Sequence, residues 1–328
     1  MALRTLWGSG LGYAASGMAE WHRPEIDRAL RFITEHLDRA ISVAEVARAA
    51  GLSEFHLHRV FHAAIGESIG RFITRRRLEL AALRLAYDPD ASITQIALDS
   101  GYSSSSNFSK AFAGYFGSSP TRVREPDGTL AVSVGKIAAL YGKDFRPAEL
   151  YSMGPGATEA DERREAARWH GRVRYVDIQD RALACIAIPG YDVQRIEQGW
   201  IEIIERASQL GLVGDDVDAW GAAHDSPQVT APELCRYHAC IPCPENAPLA
   251  PPLFRGRMAG GRYAVFAYQG AVDGVAAAYR SIYSCWFRHS SLAPADFVPF
   301  DHYVTGFPRA GQVEMEMWLR VRERHAAG

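Results

Sequence analysis

The sequence predicts a multidomain protein, an all-α double helix-turn-helix domain followed by an α+β domain built on a pseudo-twofold repeat. Three observations carry this. Residues 41–61, ISVAEVARAAGLSEFHLHRVF, and 91–112, ASITQIALDSGYSSSSNFSKAF, read as two copies of one helical unit. A Gly/Pro-rich and then highly charged stretch, SMGPGATEADERREAARWHG, follows them at 152–171. Beyond about residue 172 the apolar spacing shifts toward the alternation of strands, and the order strand, helix, strand, strand occurs twice. At 328 residues the chain exceeds one ordinary core, so two domains are expected.

With 48% hydrophobic and 23% charged residues the composition is that of a globular protein. The formal charge of −2 does not advertise a polyanion-binding protein, yet a local acidic excess can mask a basic region elsewhere. Such a region lies between Arg71 and Arg84, where Arg71, Arg75, Arg76, Arg77 and Arg84 face Glu79. No run approaches about 20 apolar residues, so no membrane-spanning helix is expected. Five cysteines, an odd number, suggest free thiols in a reducing compartment and a cytoplasmic protein. Residues 1–20, interrupted by Gly8, Gly10 and Gly12, read as a disordered tail rather than a signal peptide.

Taken in order, Pro24 is a good first helical residue, and Ile26, Leu30, Ile33 and Leu37 form one helical stripe. Ser42 with Glu45, and Ser92 with Gln95, have capping-box spacing. Ala47 and Ala97 leave room for close helix crossing, and Gly51 and Gly101 stand where the chain turns with positive φ. Ser53 and Ser103 are expected to cap the next helices. All four matches share one offset (92 − 42 = 50). In the first of those helices Leu57, Val60 and Phe61 face inward, leaving Glu54, Phe55, His58, Arg59 and His62 outside. In the second, Phe108 and Phe112 face inward, leaving Ser104, Ser105, Ser106, Asn107, Ser109 and Lys110. An exposed Phe beside His and Arg suits a helix inserted in a groove, where it meets a thymine methyl. The competing reading is a solvated face with one stray aromatic and, for the serines, a flexible loop. A long helix from about Ser68 to Tyr87 joins the units, and its arginines are expected to divide between phosphate contacts and internal ion pairs. The turn signal DPDAS ends it.

These residues resemble the DNA-binding domain of the AraC/XylS family of bacterial transcription regulators over 22–124. The match runs through Ala47, Gly51 and Ser53, Leu57 and Phe61, the IALDSGY segment, Phe108 and Phe112, and the closing SPTRVR. The resemblance implies two reading helices in successive major-groove segments of double-stranded DNA, with RNA polymerase as a partner. By position the base-reading residues are Phe55, His58 and Arg59, then Ser105, Ser106, Asn107, Ser109 and Lys110. The N-terminal place of this unit matches the minority, Rob-like order. Boundaries are set at 21–125 for this domain, 126–170 for a linker ending in a helical turn, and 171–325 for the second domain.

In that second domain RVRYVDI, ALACIAI, DAWGAAH and CRYHACIP read as strands around a helix marked by Ile196, Trp200, Ile203, Ile204, Ala207 and Leu210. RYAVFAYQG, FDHYVTG and EMEMWLRV are the strands of the second half, around a helix marked by Val275, Tyr279, Ile282, Tyr283 and Trp286. PELCRYHACIP, GGRYAVFAYQGAVDG, SIYSCW and VPFDHYV resemble the GyrI-like (SHS2-type) effector-binding module. That resemblance implies an aromatic cleft with a buried acid, taking a small lipophilic or cationic molecule. The acid falls on Asp301, where relatives commonly carry Glu, and the cleft aromatics on Trp220, Tyr237, Phe266, Tyr268, Trp286 and Tyr303. A π-face with one carboxylate suits a desolvated cation. Two alternatives stand: a GyrI-like hydrolase using Asp301 as base, or a ligand-independent regulator whose second domain binds a protein.

Cys235, His238, Cys240 and Cys243 cluster in sequence, but strand alternation splits them between faces and no second CxxC pair exists. His58 and His62 are four apart without the carboxylate of an HExxH site, and His56 does not complete one. No metal, cofactor or enzymatic activity is expected, and no phosphate-binding glycine loop or nucleophile elbow is present.

Overall fold

The computed structural model describes residues 24–88, 90–124, 158–214, 217–226, 229–304 and 311–324. The expected tail at 1–20 and residues 126–157 of the expected linker lie outside them. Among the described residues the first domain has seven helices: α1 (Pro24–Glu35), α2 (Val43–Ala50), α3 (Glu54–Ile65), α4 (Ile69–Tyr87), α5 (Ile93–Asp99), α6 (Ser105–Phe116) and α7 (Pro120–Arg124). The stripe of α1 is buried, with Ile26 and Ile33 fully covered. Ser42 and Glu45 complete a capping box at α2, and the Ser42 N–H and hydroxyl hold the Glu45 carboxyl down to about 2. Ser92 accepts from the Gln95 backbone N–H, but the reciprocal half of that expected box does not form. The Gln95 amide donates instead to Asp99 Oδ1 at 2.6 Å.

Two cores result, and α4 runs through both. Its first half packs with α1–α3 around Leu57, Phe61 and Phe72. Its second half packs with α5–α7 around Phe108, Phe112 and Phe116. Each buried Phe contributes roughly 1.5–3 kcal/mol of transfer free energy. Because one continuous helix belongs to both cores, the two units are held at a fixed spacing. Arg77 adds to this: its guanidinium donates to the Leu37 and Arg39 carbonyls after α1 and lies over Gly101 in the turn of the second unit. A Cβ on Gly101 would stand 2.7 Å from both the Arg77 Nη2 and the Leu37 carbonyl oxygen, and its φ is 74°, so both space and backbone require glycine.

The second domain begins earlier than the sequence suggests. Residues 159–170, assigned to the end of the linker, form α8 (Glu159–His170), capped by Thr158. Trp169 of α8 packs edge-on against Phe266, and its indole N–H donates to Ser281. Then follow β1 (Val173–Ile178), β2 (Arg181–Pro189), α9 (Val193–Gln209), β3 (Ala219–Ala223) and β4 (Arg236–Pro242). The second half repeats this as β5 (Phe254–Met258), β6 (Gly261–Ala271), α10 (Val275–Ser281) with a π turn over Ile282–Trp286, β8 (Phe300–Tyr303) and β9 (Gln312–Glu323). A short β7 (Leu292–Pro294) pairs with β9 alone. The sheet order is β1-β6-β9-β8-β3-β4-β2-β5. Exchanging the halves reverses that order onto itself, so the pseudo-twofold passes between β3 and β8, and each half lends its first strand to the other. The helices α9 and α10 lie on one face, over clusters around Ile203 and Trp286. Trp220, Cys240, Tyr263 and Trp318 pack together on the other.

The domains meet along α4. Arg75, Arg76 and Arg236 and Glu67, Glu79 and Asp225 are all at most 5% exposed. Arg75 binds Glu67 at 2.6 Å and Glu79 at 3.1 Å. Arg76 binds Glu79 at 3.0 Å and, across the interface, Asp225 at 2.5 Å and the His224 carbonyl at 2.8 Å. Arg236 reaches Asp225 at 2.7 Å and lies over the Phe72 ring. Charges balance three against three, which makes burial of the set tolerable. The flanking guanidinium groups hold the Asp225 carboxyl far below the usual range despite its burial. At the far end of α4, Tyr87 packs on Tyr283, Asp88 pairs with Arg322 and Asp90 with Arg324. The β3–β4 connection also inserts Val229 into the second core of the helical domain.

Removing one member leaves its partners charged and buried. Glu79→Ala, which strips counter-charge from both Arg75 and Arg76, is expected to lower the unfolding free energy by about 3–5 kcal/mol in urea titrations. A loss under about 1 kcal/mol would show that the network does not hold this interface together.

Candidate nucleic-acid interface and ligand cleft

On α3, Ser53 accepts from the His56 backbone N–H at 3.3 Å and starts the helix. Burial of Leu57, Val60 and Phe61 then turns Glu54, Phe55, His58, Arg59 and His62 outward. Phe55 is 82% exposed, the most exposed of the large apolar side chains among the described residues. The Arg59 guanidinium lies 3.3 Å from His56 Nδ1, which steers it along the helix.

The second reading helix starts one residue later than the repeat suggests. Its N-cap is Ser104, which accepts from the Asn107 backbone N–H, and not Ser103. Ser103 accepts instead from the Asn107 side-chain amide at 3.1 Å, so part of the Asn107 donor capacity is spent locally. The reason is visible in the spacing. Gly51 and Gly101 are 50 apart, whereas Leu57 and Phe108, Phe61 and Phe112, and Gly66 and Gly117 are 51 apart. The turn of the second unit is one residue longer. Aligned by helix frame, Phe55 corresponds to Ser106, His58 to Ser109 and Arg59 to Lys110. Ser106, Asn107 and Lys110 are exposed, and Ser105 and Ser109 are half-buried.

The basic stretch of α4 is mostly internal. Arg75 and Arg76 are buried in the network above, Arg77 holds backbone carbonyls, and Arg84 pairs with Asp99 at 2.8 Å. Arg71 alone of the five is exposed. Arg124 likewise turns inward to the Asp88 and Ala91 carbonyls.

In the second domain strand parity decides which aromatics converge. Asp301 and Tyr303 of β8 face the helices, as does Tyr237 of β4. Phe300 and His302 face the other way, and Trp220 stacks on His302 at 4.2 Å on that opposite face, remote from Asp301. Trp220 is therefore no cleft residue, because β3 presents Gly221 toward the helices instead. The Tyr237 hydroxyl crosses Gly221, where a Cβ would stand 1.8 Å from it, to meet the Tyr303 hydroxyl at 2.9 Å. Phe266 and Trp286 pack on each other within the core under α10, with the Trp286 N–H on His170. Tyr268 sits at the edge of that core and donates to the Ala271 carbonyl.

Three further residues join the cleft, Trp200 and Tyr279 from the amphipathic helices and Tyr191 from the segment after β2. Tyr279 donates to Asp301 Oδ1 at 2.5 Å. Trp200 packs edge-on against Tyr303 and Tyr237. Tyr191 lies beside Tyr237. Burial pushes the Asp301 carboxyl up to about 7, opposed by the Tyr279 bond. Burial also pushes Tyr237, Tyr279 and Tyr303 upward, so their hydroxyls stay protonated donors. The arrangement is one buried carboxyl under a wall of aromatic rings, closed over by its own side chains.

Metal sites fare differently. The Cys240 thiol lies 3.2 Å from that of Cys185, and the Cys235 thiol points at the Thr230 carbonyl. No group of three metal-ligating side chains comes together among the described residues. None of their helices is long and apolar enough to cross a membrane.

Comparison with known proteins bears on both halves. A helix-turn-helix domain family matches residues 46–126. Regulatory protein SoxS of Salmonella typhimurium is 34% identical over 103 residues, 31% of this chain and 95% of its own. The chain belongs to the AraC family. The probable transcription factor PqrA of Proteus vulgaris is 33% identical over 107 residues, 32% of this chain and 86% of its own. The C-terminal domain of AraT from Geobacillus stearothermophilus is 29% identical, covering 32% of this chain and 88% of its own, with a TM-score of 0.31. The GyrI-like small molecule binding domain family matches residues 173–322. This AraC-family protein is thus a DNA-binding transcription regulator with a GyrI-like small-molecule binding domain.

Gly221→Ala is expected to push Tyr237 off its path and cost about 1–3 kcal/mol by overpacking. Adding Tyr237→Phe, which removes the atom that would stand closest to the new methyl, is expected to return part of that loss in denaturant titrations. Additive costs would show that Tyr237 does not cross Gly221.

Proposed function

We propose that the AraC-family domain reads duplex DNA through Phe55, His58 and Arg59 of α3 and Ser105, Ser106, Asn107, Ser109 and Lys110 of α6. The observation that carries this is the solvent-facing Phe55 flanked by His58 and Arg59 on a capped helix, with a second capped helix bearing Lys110 in the frame of Arg59. A large ring held in water at that position is matched by an apolar contact such as a thymine methyl. The α3 face dominates base choice, while the short side chains of α6 serve anchoring and adaptable hydrogen bonds. RNA polymerase belongs to the same reading as the partner of a bound regulator. The domains are proposed as 21–125 and, with α8 included, about 158–325.

The second domain is proposed to take a small lipophilic cation at Asp301, beneath Tyr237, Tyr303, Tyr279 and Trp200. Support comes from the buried carboxyl and the protonated tyrosines around it, which offer rings and hydroxyl donors and, among the described residues, no counter-cation. A ligand reaching Asp301 replaces the Tyr279 hydroxyl or separates the edge-on rings of Trp200, Tyr237 and Tyr303.

Two expected outcomes test these assignments. Against a duplex selected by the full chain from a random pool, Arg59→Ala is expected to weaken binding by about 10- to 100-fold in a fluorescence titration. Binding equal to wild type would remove α3 from the interface. For the cleft, the probe is benzyltriethylammonium, titrated calorimetrically. Since the free carboxyl takes up its proton below about 7, affinity is expected to fall up to tenfold per pH unit below that value and to level off above it. Asp301→Asn is expected to abolish the slope, and a wild-type affinity flat between about pH 5 and pH 8 would exclude Asp301 as the cation's partner.

A further inference from the structure

A continuous line of contacts joins the aromatic cleft to both reading helices. It starts at Tyr191, whose ring lies 6.3 Å from that of Tyr237, the residue bonded to Tyr303 beside Asp301. The Tyr191 hydroxyl donates to the backbone carbonyl of Asp225 at 3.0 Å. Asp225 is fully enclosed at the domain interface, where its carboxylate takes Arg76 of α4 at 2.5 Å. Arg76 shares Glu79 with Arg75. From Glu79 the line divides. Through Arg75 it reaches Glu67, directly after the C-cap of α3. Through the Tyr115 hydroxyl, 3.4 Å from Glu79 Oε1, it reaches α6.

We propose that Tyr191 is the positioning residue that couples the cleft to the DNA reader, by holding the Asp225 carbonyl and so the Asp225–Arg76 contact. The proposal rests on the assignment of α3 and α6 as DNA readers and of the cleft as the ligand site.

The physical argument is one of geometry under burial. The cleft rings are packed on one another, with Trp200 against both Tyr237 and Tyr303, so a ligand at Asp301 displaces rings and does not merely fill space. Tyr191 carries the cleft into the β3–β4 connection by its hydrogen bond to Asp225, in the segment docked on the helical domain. Moving it shifts the Asp225 backbone. The carboxylate cannot follow freely, because Arg236 holds it by its backbone N–H and its guanidinium, at 2.9 and 2.7 Å. The strain falls on the link to Arg76. A buried guanidinium with a weakened partner leans on those it keeps, which here are the His224 carbonyl and Glu79, the branch point to both readers. Energetic coupling between sites is reciprocal, so if a cleft ligand alters DNA affinity, DNA bound at α3 and α6 alters the ligand's affinity by the same factor and therefore changes the free energy of the cleft. This permits a test without the natural ligand.

The experiment uses the full chain and a duplex it selects from a random pool. Amide hydrogen exchange is followed in α9, which carries Trp200 over the cleft, with and without the duplex. Wild type is expected to change its α9 exchange by about fivefold or more on binding DNA. Tyr191→Phe, which keeps the ring and removes the hydroxyl, is expected to bind the duplex within about threefold of wild type and to lose most of the α9 response. Arg76→Gln breaks the same line at the α4 end and is expected to lose it as well; retained circular dichroism and α3 protection by DNA show that either variant is folded and bound. A wild type that binds no duplex overturns the DNA-reading assignment and the coupling with it. A wild type that binds duplex with unchanged α9 exchange overturns the coupling and leaves the reading intact. A Tyr191→Phe protein that responds as wild type overturns the role of Tyr191.

Discussion

The contact between Arg76 and Asp225 is the constraint on which the arrangement of this protein depends. It lies between a helix shared by both cores of the DNA-binding domain and the connection between two central strands of the ligand domain. Neither charge is stable alone in that environment, and each is matched again within its own domain, by Glu79 on one side and Arg236 on the other. The interface is therefore specified by charge register and not by area alone. Sliding the domains by about one helical turn, three residues along α4, would bring Glu79 toward Asp225 and set carboxylate against carboxylate.

In the first domain the local chemistry was legible. Capping serines, the glycine turns and the inward Leu57, Phe61, Phe108 and Phe112 are short-range features, and the helices appear where those residues put them. Two details depart from the repeat. Ser103 gave way to Ser104 because the turn after Gly101 carries an extra residue, and the change of spacing to 51 at Phe108 was the available signal. The Ser92–Gln95 box formed only half, because Asp99 one helical turn further on competes for the Gln95 amide.

The ligand domain was legible as a repeat but less so as a site. Period-2 alternation places Trp220 and Gly221 on opposite faces, yet which face looks at the helices depends on the pairing of β3 with β8, a long-range fact. Trp220 was therefore counted with the cleft, and Tyr279 and Trp200 were counted as core. The swap of β1 and β5 between halves and the attachment of α8 are likewise set by contacts distant in sequence. The burial of Arg75 and Arg76 was hidden for the same reason: their partner Asp225 lies nearly 150 residues away (225 − 76 = 149).

The doubled reading unit has a consequence for the shape of the target. A regulator that pairs two identical chains about a dyad meets a palindrome and has no front or back. Here two unlike faces, one with Phe55, His58 and Arg59 and one with serines and Lys110, follow each other on a single rigid helix. Turned end for end, the protein would offer each half of its site the wrong face. On the proposed assignment of α3 and α6 as readers, its target has polarity, and the bound molecule acquires a direction along the duplex. The ligand domain, fixed to that same helix, then always faces the same way along the DNA, so the orientation of the site alone decides on which side a signal is delivered.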